Sequence, residues 1–323
     1  APFRLKQLQN WLYKNWAIDF SEMKNLPAAF LQALAQDYRV FSLQVLQTQI
    51  ASDGTVKWLS GLSDNNTVET VLLSAGQRKT VCISTQVGCQ VRCAFCCSGQ
   101  PGFIRDLSCS EIIDQVILAC RHLEKKINNI VVMGMGEPLH NLENLSLALE
   151  LLNDENAFAL GCRHITISTS GIVPGIYKLA DMQKPWNLAV SLHATNDQQR
   201  ARIIPEKFRY PIDEIIKACQ YHRKKTKRMP TIEYTLLENI NDSKKDSQEL
   251  SKIAKELRAK VNLIPCNEGA GLYKAPTKQV AKEFLSSLEA NGVQASLRSR
   301  KGDDIKAACG QLRNQTLNST ENE

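Results

Sequence analysis

From Lys79 onward, short apolar runs of strand length alternate with stretches whose apolar positions recur every three or four residues. The strand-like runs are Thr80–Ser84, Asn129–Met133, His164–Ser168, Leu188–His193, Thr231–Leu237 and Val261–Pro265. Helical periodicity covers Ser110–Leu123, Leu142–Leu152, Val173–Met182, Ile212–His222, Asp246–Leu257 and Lys278–Asn291. Ser108-Cys109-Ser110-Glu111 fits a capping box at the head of the first of these helices. Repeated βα units predict a parallel sheet. Six units, against the eight of a closed barrel, predict an open (βα)6 arrangement. In such folds functional groups sit at the C-terminal ends of the strands.

The first 75 residues follow another rhythm. Helical patterns over Arg4–Tyr13 and Pro27–Asp37 precede a meander of strand-like runs, Val40–Ile50, Thr55–Leu62 and Thr67–Leu73. Asp53-Gly54 is a strong hairpin signal between the first two runs. The expected class is α/β, a partial (βα)6 TIM-like barrel with a small N-terminal α+β accessory domain and a short C-terminal extension. Expected boundaries are 1–75, 76–300 and 301–323, with Arg313–Glu323 reading as a disordered polar tail.

Composition narrows the class only a little. A chain of 323 residues that is 43% hydrophobic and 23% charged is an ordinary globular one. No apolar run approaches the roughly 18 to 20 residues of a membrane span, so no membrane partner is expected. No charged-then-apolar signal opens the chain, and a cytoplasmic location is expected. Eleven cysteines in that compartment argue against a disulfide framework, and most read as small core residues. A net charge of +7 biases the protein mildly toward a polyanionic partner. Basic runs at Tyr221–Arg228 and Arg298–Lys301, with Arg78-Lys79, are candidate phosphate contacts. A solvated helix end is an equal reading of the first.

The candidate chemistry begins with Cys89, Cys93 and Cys96, spaced C-x3-C-x2-C directly after the first barrel strand. Four thiolates normally close a 4Fe–4S cube. Three leave one iron open, and this spacing is the one associated with S-adenosylmethionine (SAM) as the ligand of that iron. A partial zinc site is the alternative, but structural zinc prefers paired C-x2-4-C units closed to four ligands. After the second strand, Gly134-Met135-Gly136-Glu137-Pro138 suits close backbone approach to a ligand, with Glu137 able to accept from its amino group. Ser168, Ser191, His193 and Asn267 fall at the ends of later strands, around the same barrel mouth. Cys82 and Cys309, taken alone, read as buried small residues.

Together these residues resemble the RlmN family of rRNA adenine-C2 methyltransferases, relatives of the Cfr resistance methyltransferases. The likeness runs from Leu8 to Leu312 through Ala51-Ser52-Asp53-Gly54, Val68-Glu69-Thr70-Val71, CISTQVGC, GMGEPL, STSG, SLHATND, NLIP and GDDIKAACGQL. The Leu after GMGEP and the Gln100…Gly102-Phe103 stretch look like RlmN. The resemblance implies one 4Fe–4S cluster on Cys89, Cys93 and Cys96 and two SAM per turnover. It implies that Cys309 takes a methyl group from one SAM, while the second yields a 5′-deoxyadenosyl radical that abstracts hydrogen from the S-methyl. The methylene radical then adds to adenine C2, Cys82 forms a disulfide with Cys309, and Glu69 accepts a proton. SAM would be held by Gly136, Glu137, Ser168, Ser191, Leu192, His193 and Asn267. The implied substrates are adenosine 2503 of 23S rRNA and adenosine 37 of tRNA. An electron donor such as flavodoxin and a monomeric state are also expected.

This chain departs from the pattern at Cys97, where Ser or Ala is usual, and at Cys266 and Glu268, which flank Asn267 in place of an aromatic residue and a proline. A Cfr-like C8 methyltransferase shares every implied catalytic cysteine. A non-catalytic, metal-stabilised RNA-binding protein is the alternative from another class.

Overall fold

The computed structural model describes residues 2–267, 273–298, 301–308 and 310–312. Cys309, Glu268 and the tail Arg313–Glu323 lie outside the described residues. Helices α1 (Pro2–Gln9) and α2 (Ala28–Asp37) open the chain. A π-helical turn at Asn10–Lys14 continues α1, and Pro27 is the N-cap of α2 rather than its first helical residue. Strands β1 (Gln44–Ile50), β2 (Val56–Gly61), β3 (Thr67–Ala75) and β4 (Arg78–Ile83) form an antiparallel meander. Gly54 turns the β1–β2 hairpin at φ +77°.

A short antiparallel hairpin follows, β5 (Gln86–Gly88) with β6 (Phe103–Asp106). The barrel continues with α3 (Cys109–Leu123), β7 (Asn129–Val132), α4 (Leu142–Asn153), β8 (Ile165–Thr169), α5 (Val173–Asp181) and β9 (Asn187–Ser191). Then come α6 (Asp197–Ala201), α7 (Ile212–Thr226), β10 (Thr231–Leu236), α8 (Lys244–Leu257), β11 (Lys260–Pro265), α9 (Lys278–Ala290) and β12 (Ala295–Leu297). Among the described residues the main sheet has ten strands in the order β1-β2-β3-β4-β7-β8-β9-β10-β11-β12. From β4 to β12 every pairing is parallel, giving the partial barrel. Strand β4 therefore belongs to both motifs, antiparallel to β3 and parallel to β7.

Strand alternation sorts the side chains. Leu188 and Val190 of β9, and Ile232 and Tyr234 of β10, are buried in the core, whereas Ser191, Glu233 and Thr235 line a central cavity. The predicted capping box forms: Ser108 Oγ accepts from the Glu111 N–H at 3.3 Å, and Glu111 accepts from the Ser108 N–H at 2.8 Å. Strand β12, the β5–β6 hairpin and α6 are additions to the sequence expectation. Each is five residues or shorter, too brief to carry a readable period. Among the described residues no helix is long and apolar enough to cross a membrane.

Buried Asn141, just ahead of α4, ties the β4–β5 connection to the rest of the barrel. Its Nδ2 donates to the carbonyls of Thr85 (2.8 Å) and Leu107 (2.7 Å). Asn141→Ala takes its donor from the Leu107 carbonyl and leaves the Thr85 carbonyl with the Leu107 N–H alone (3.0 Å), and is expected to cost about 2 kcal/mol, read as a lower urea midpoint with unchanged m-value.

Candidate active site

The cysteine loop, residues 89–102, bridges β5 and β6, is closed by bonds of its own and is tied at three points to distant segments. The Cys89 N–H donates to Gly102 O (3.1 Å), Ala94 N–H to Ile203 O (2.9 Å) and Cys97 N–H to Gly310 O (2.8 Å), while Ser98 Oγ donates to Leu312 O (2.8 Å). Gly88 starts the loop at φ +75°, where an added Cβ would sit 1.7 Å from Gly102 O. No other residue fits there.

Cys89, Cys93 and Cys96 line one open cavity of about 910 Å³, together with Gly136, Glu137, Ser168, Ser191, His193 and Asn267. Gly136, at φ +107°, has the Gln86 side chain and backbone where a Cβ would fall, at 2.6–2.8 Å. The Glu137 carboxylate is pre-oriented: Oε1 accepts from the Leu139 N–H (3.0 Å) and Oε2 from the Ser170 N–H (2.7 Å). Leu192 does not line the cavity. It is buried, and its carbonyl accepts from Arg200 Nη1 at 2.5 Å.

Arg200, fully buried, also donates to the carbonyls of Ser170 and Ser191, so one guanidinium clamps the ends of two strands. Burial pulls it down to about 10, opposed by the neighbouring Cys93. The ring of His193 is edge-on to Phe95, with centroids 4.7 Å apart. Burial, with Arg200 adding to it, pushes His193 down to about 3. Its Nδ1 accepts from the Thr235 N–H (2.9 Å), which leaves the proton on Nε2.

A second chamber of about 740 Å³ adjoins the first, and Cys96, Asn267, Arg298 and Gly310 line both. Cys82 lines it from β4, opposite Val71 of β3. Ala308 and Gly310, on either side of Cys309, line it too. Glu69 is buried two residues before Val71 but lines neither chamber. Its Oε1 lies 3.5 Å from Nζ of Lys57, a buried lysine of β2 that also donates to Lys306 O (3.4 Å).

The residues fit an iron–sulfur cluster. Burial pushes the Cys89 thiol up to about 12, with Cys96 and Glu137 adding to it, and raises Cys93 well above the ordinary range. Thiolates in this place need a cationic partner, and bound iron supplies one while displacing the protons. Among the described residues, no set of three or more His, Cys, Asp and Glu closes on a single-ion position, as structural zinc would require. The ligands of a cube instead go to separate irons.

Several site residues escaped the sequence reading. Ser170 lines the cavity with its buried Oγ lacking a hydrogen-bond partner, and Glu233 and Lys57 lie in strand interiors. STSG hinted at the first; buried charges in short strands left no periodic signal for the others. The basic runs divide. Tyr221–Arg228 ends α7 and leads into β10, and Arg78-Lys79 begins β4, so both lie at the N-terminal ends of strands, away from the cavity mouth. Arg298 and Lys301 line the second chamber.

An open α/β barrel carrying three thiols in a cavity at its strand ends is the arrangement of the radical SAM class of enzymes. The Radical SAM superfamily pattern matches residues 83–250. A curated relative from Petrotoga mobilis, "Probable dual-specificity RNA methyltransferase RlmN", is 42% identical over 316 residues, covering 98% of this chain and 91% of the relative. One of the same name from Clostridioides difficile is 43% identical, covering 97% and 91%. The crystal structure of a radical SAM methyltransferase from Sphaerobacter thermophilus superposes with a TM-score of 0.93 at 40% identity, covering 96% of this chain and 93% of that one. The chain belongs to the RlmN family.

Two variants test this site. Gly88→Ala is expected to leave a folded protein that cannot hold iron and sulfide after anaerobic reconstitution, read by metal analysis and visible absorbance. Lys57→Met strips a buried pair of one partner and is expected to destabilise the fold by about 3 kcal/mol in urea unfolding.

Proposed function

We propose that this chain forms 2-methyladenosine in RNA, at adenosine 2503 of 23S rRNA and adenosine 37 of tRNA, using two SAM per turnover. The observation that carries the reading is the shared chamber. Cys82 and the residues flanking Cys309 line one space, and that space shares Cys96 with the cavity of the cluster cysteines. A structural RNA-binding protein needs no such convergence.

Cys89, Cys93 and Cys96 would hold the cluster, which would supply the one-electron reducing chemistry that yields a 5′-deoxyadenosyl radical from SAM. Adenine C2 is electrophilic and carries no acidic proton, so a tethered carbon radical reaches it where polar methyl transfer fails. In this reading Cys309 carries the methyl group as a thioether, which requires its thiolate first. Gly136 and Glu137 receive the amino group of SAM, and Ser168, Ser191, His193 and Asn267 line the space for the rest. The resemblance assigns the proton lost from C2 to Glu69, which pairs with Lys57 behind the chamber wall and would be reached from there only through an intervening group. Cys82 attacks the Cys309 sulfur and forms the disulfide as the sulfur–methylene bond breaks, and the released carbon takes up a proton to become the methyl group. One electron passes back to the electron-transfer partner, and a dithiol reductant then reopens the disulfide. The target base must be extruded from its stack to enter. Arg298 and Lys301, which line the second chamber, would meet its phosphates. A flavodoxin-type protein is the expected electron donor to a monomeric enzyme.

Anaerobic turnover of the reconstituted protein with methyl-labelled SAM and unmodified 23S rRNA, followed by mass spectrometry of the nucleosides, is expected to yield labelled 2-methyladenosine. Labelled 8-methyladenosine would move the chain to the Cfr-like reaction, and an unlabelled product pool would remove RNA as the substrate. Cys309→Ala is expected to abolish transfer with the cluster intact, and Cys82→Ala to trap a covalent protein–RNA adduct on denaturing gels.

A further inference from the structure

The first half of the cysteine loop is a wall with two faces. Cys89, Val91, Cys93 and Phe95 line the main cavity, whereas Arg92 and Ala94, set between them, are exposed and line neither chamber. Solvent and Cys93 therefore stand on opposite sides of a single stretch of backbone. The turn after α6 is joined to this wall. The Ala94 N–H donates to Ile203 O (2.9 Å), and Val91 packs with Ile203 and Ile204. Arg202, exposed at the end of α6, has its carbonyl held by Tyr273 Oη at 2.8 Å. Exposed Lys207 and half-buried Arg209, whose Nη1 donates to Ile204 O (3.4 Å), follow in the same segment. Across residues 89–97 and 201–209 the charged side chains are Arg92, Arg202, Lys207 and Arg209 against one acid, Glu206. None of the four basic groups forms an ion pair among the described residues.

The proposed reaction needs an electron while SAM and the target base fill the cavity side of the loop. Electron tunnelling slows steeply with distance, so the donor must come close to the cysteines without entering that space. The outer face offers the short route. Its charge selects the donor: unneutralised basic groups steer a protein with an acidic rim into encounter, more than they add affinity. We propose that the outer face of the cysteine loop, marked by Arg92 and Arg202, is the docking site of an acidic one-electron donor protein. One electron leaves the donor's reduced group and passes to the oxidised cluster; no bond breaks and no proton moves. The proposal rests on the reading that Cys89, Cys93 and Cys96 hold that cluster.

The test is the rate at which reduced flavodoxin, used as the acidic donor, reduces the reconstituted holoenzyme in anaerobic stopped flow. Wild type is expected to slow about tenfold from about 0.01 M to about 1 M KCl, as the Debye length falls from ~30 Å to ~3 Å. The double variant Arg92→Glu with Arg202→Glu is expected to be about tenfold slower than wild type at low salt and to lose that slope. Reduced methyl viologen, a small cation, should reduce the variant no more slowly than wild type. An unchanged flavodoxin rate in the variant overturns the proposal, and so does a fall shared equally by methyl viologen, which would place the change in the cluster. A wild-type rate indifferent to salt overturns it too, and decides the matter even where the variant takes up no cluster. Loss of affinity for 23S rRNA in the variant with the flavodoxin rate intact would give this face to RNA instead. Wild type that retains no iron and sulfide after reconstitution would overturn the reading of the three cysteines, a result distinct from the others.

Discussion

Burying three thiols in one cavity is unfavourable for their charged forms, and the architecture of this protein follows from that cost. Water would stabilise the thiolates but would also compete with SAM for an open iron. The site is therefore apolar around Cys89 and Cys93, with Val91, Ile203, Ile204, Leu237 and Cys266 forming a small core of their own beneath the loop. Burial raises both thiols, and the charge of a bound cluster offsets it. A loop of this kind cannot be held by regular secondary structure, since its carbonyls and amides must arrange themselves around an inorganic group. It borrows rigidity from the turn after α6 through Ile203 and from the C-terminal segment through Gly310 and Leu312.

The C-terminal segment is the second consequence. It is strapped at its start to the first hairpin, where Asp304 accepts from the Ser52 N–H (2.9 Å) and Lys301 lies 3.5 Å from Asp53, and at its end to the cysteine loop. The accessory meander is thus more than an appendage. It shares β4 with the barrel, supplies Glu69 and Lys57, and anchors the segment that carries Cys309. Antiparallel and parallel halves of one sheet meet at the strand that bears Cys82.

Much of this was legible in the sequence. The βα alternation, the Ser108 capping box and the Asp53-Gly54 hairpin are local signals with local causes, and the structure reproduces them. The cysteine spacing and the Gly136-Glu137 pair pointed to one cavity because both follow barrel strands. Other features depend on neighbours distant in the chain. Strand β12 has three residues and exists by pairing with β11. Lys57 and Glu233 look like strand residues that should face water; burial is set by the elements folded over them. The basic run Tyr221–Arg228 read equally as an RNA contact and as a solvated helix end, and chain direction places it at the N-terminal ends of the strands.

The central claim is the proposal that Cys89, Cys93 and Cys96 would hold a 4Fe–4S cluster and leave one iron for SAM. Electron paramagnetic resonance of the anaerobically reconstituted, dithionite-reduced protein tests it most directly. The account predicts a reduced 4Fe–4S signal that changes shape when SAM is added and is absent from Cys93→Ala. A signal indifferent to saturating SAM, or a protein that retains zinc and no sulfide, would contradict it.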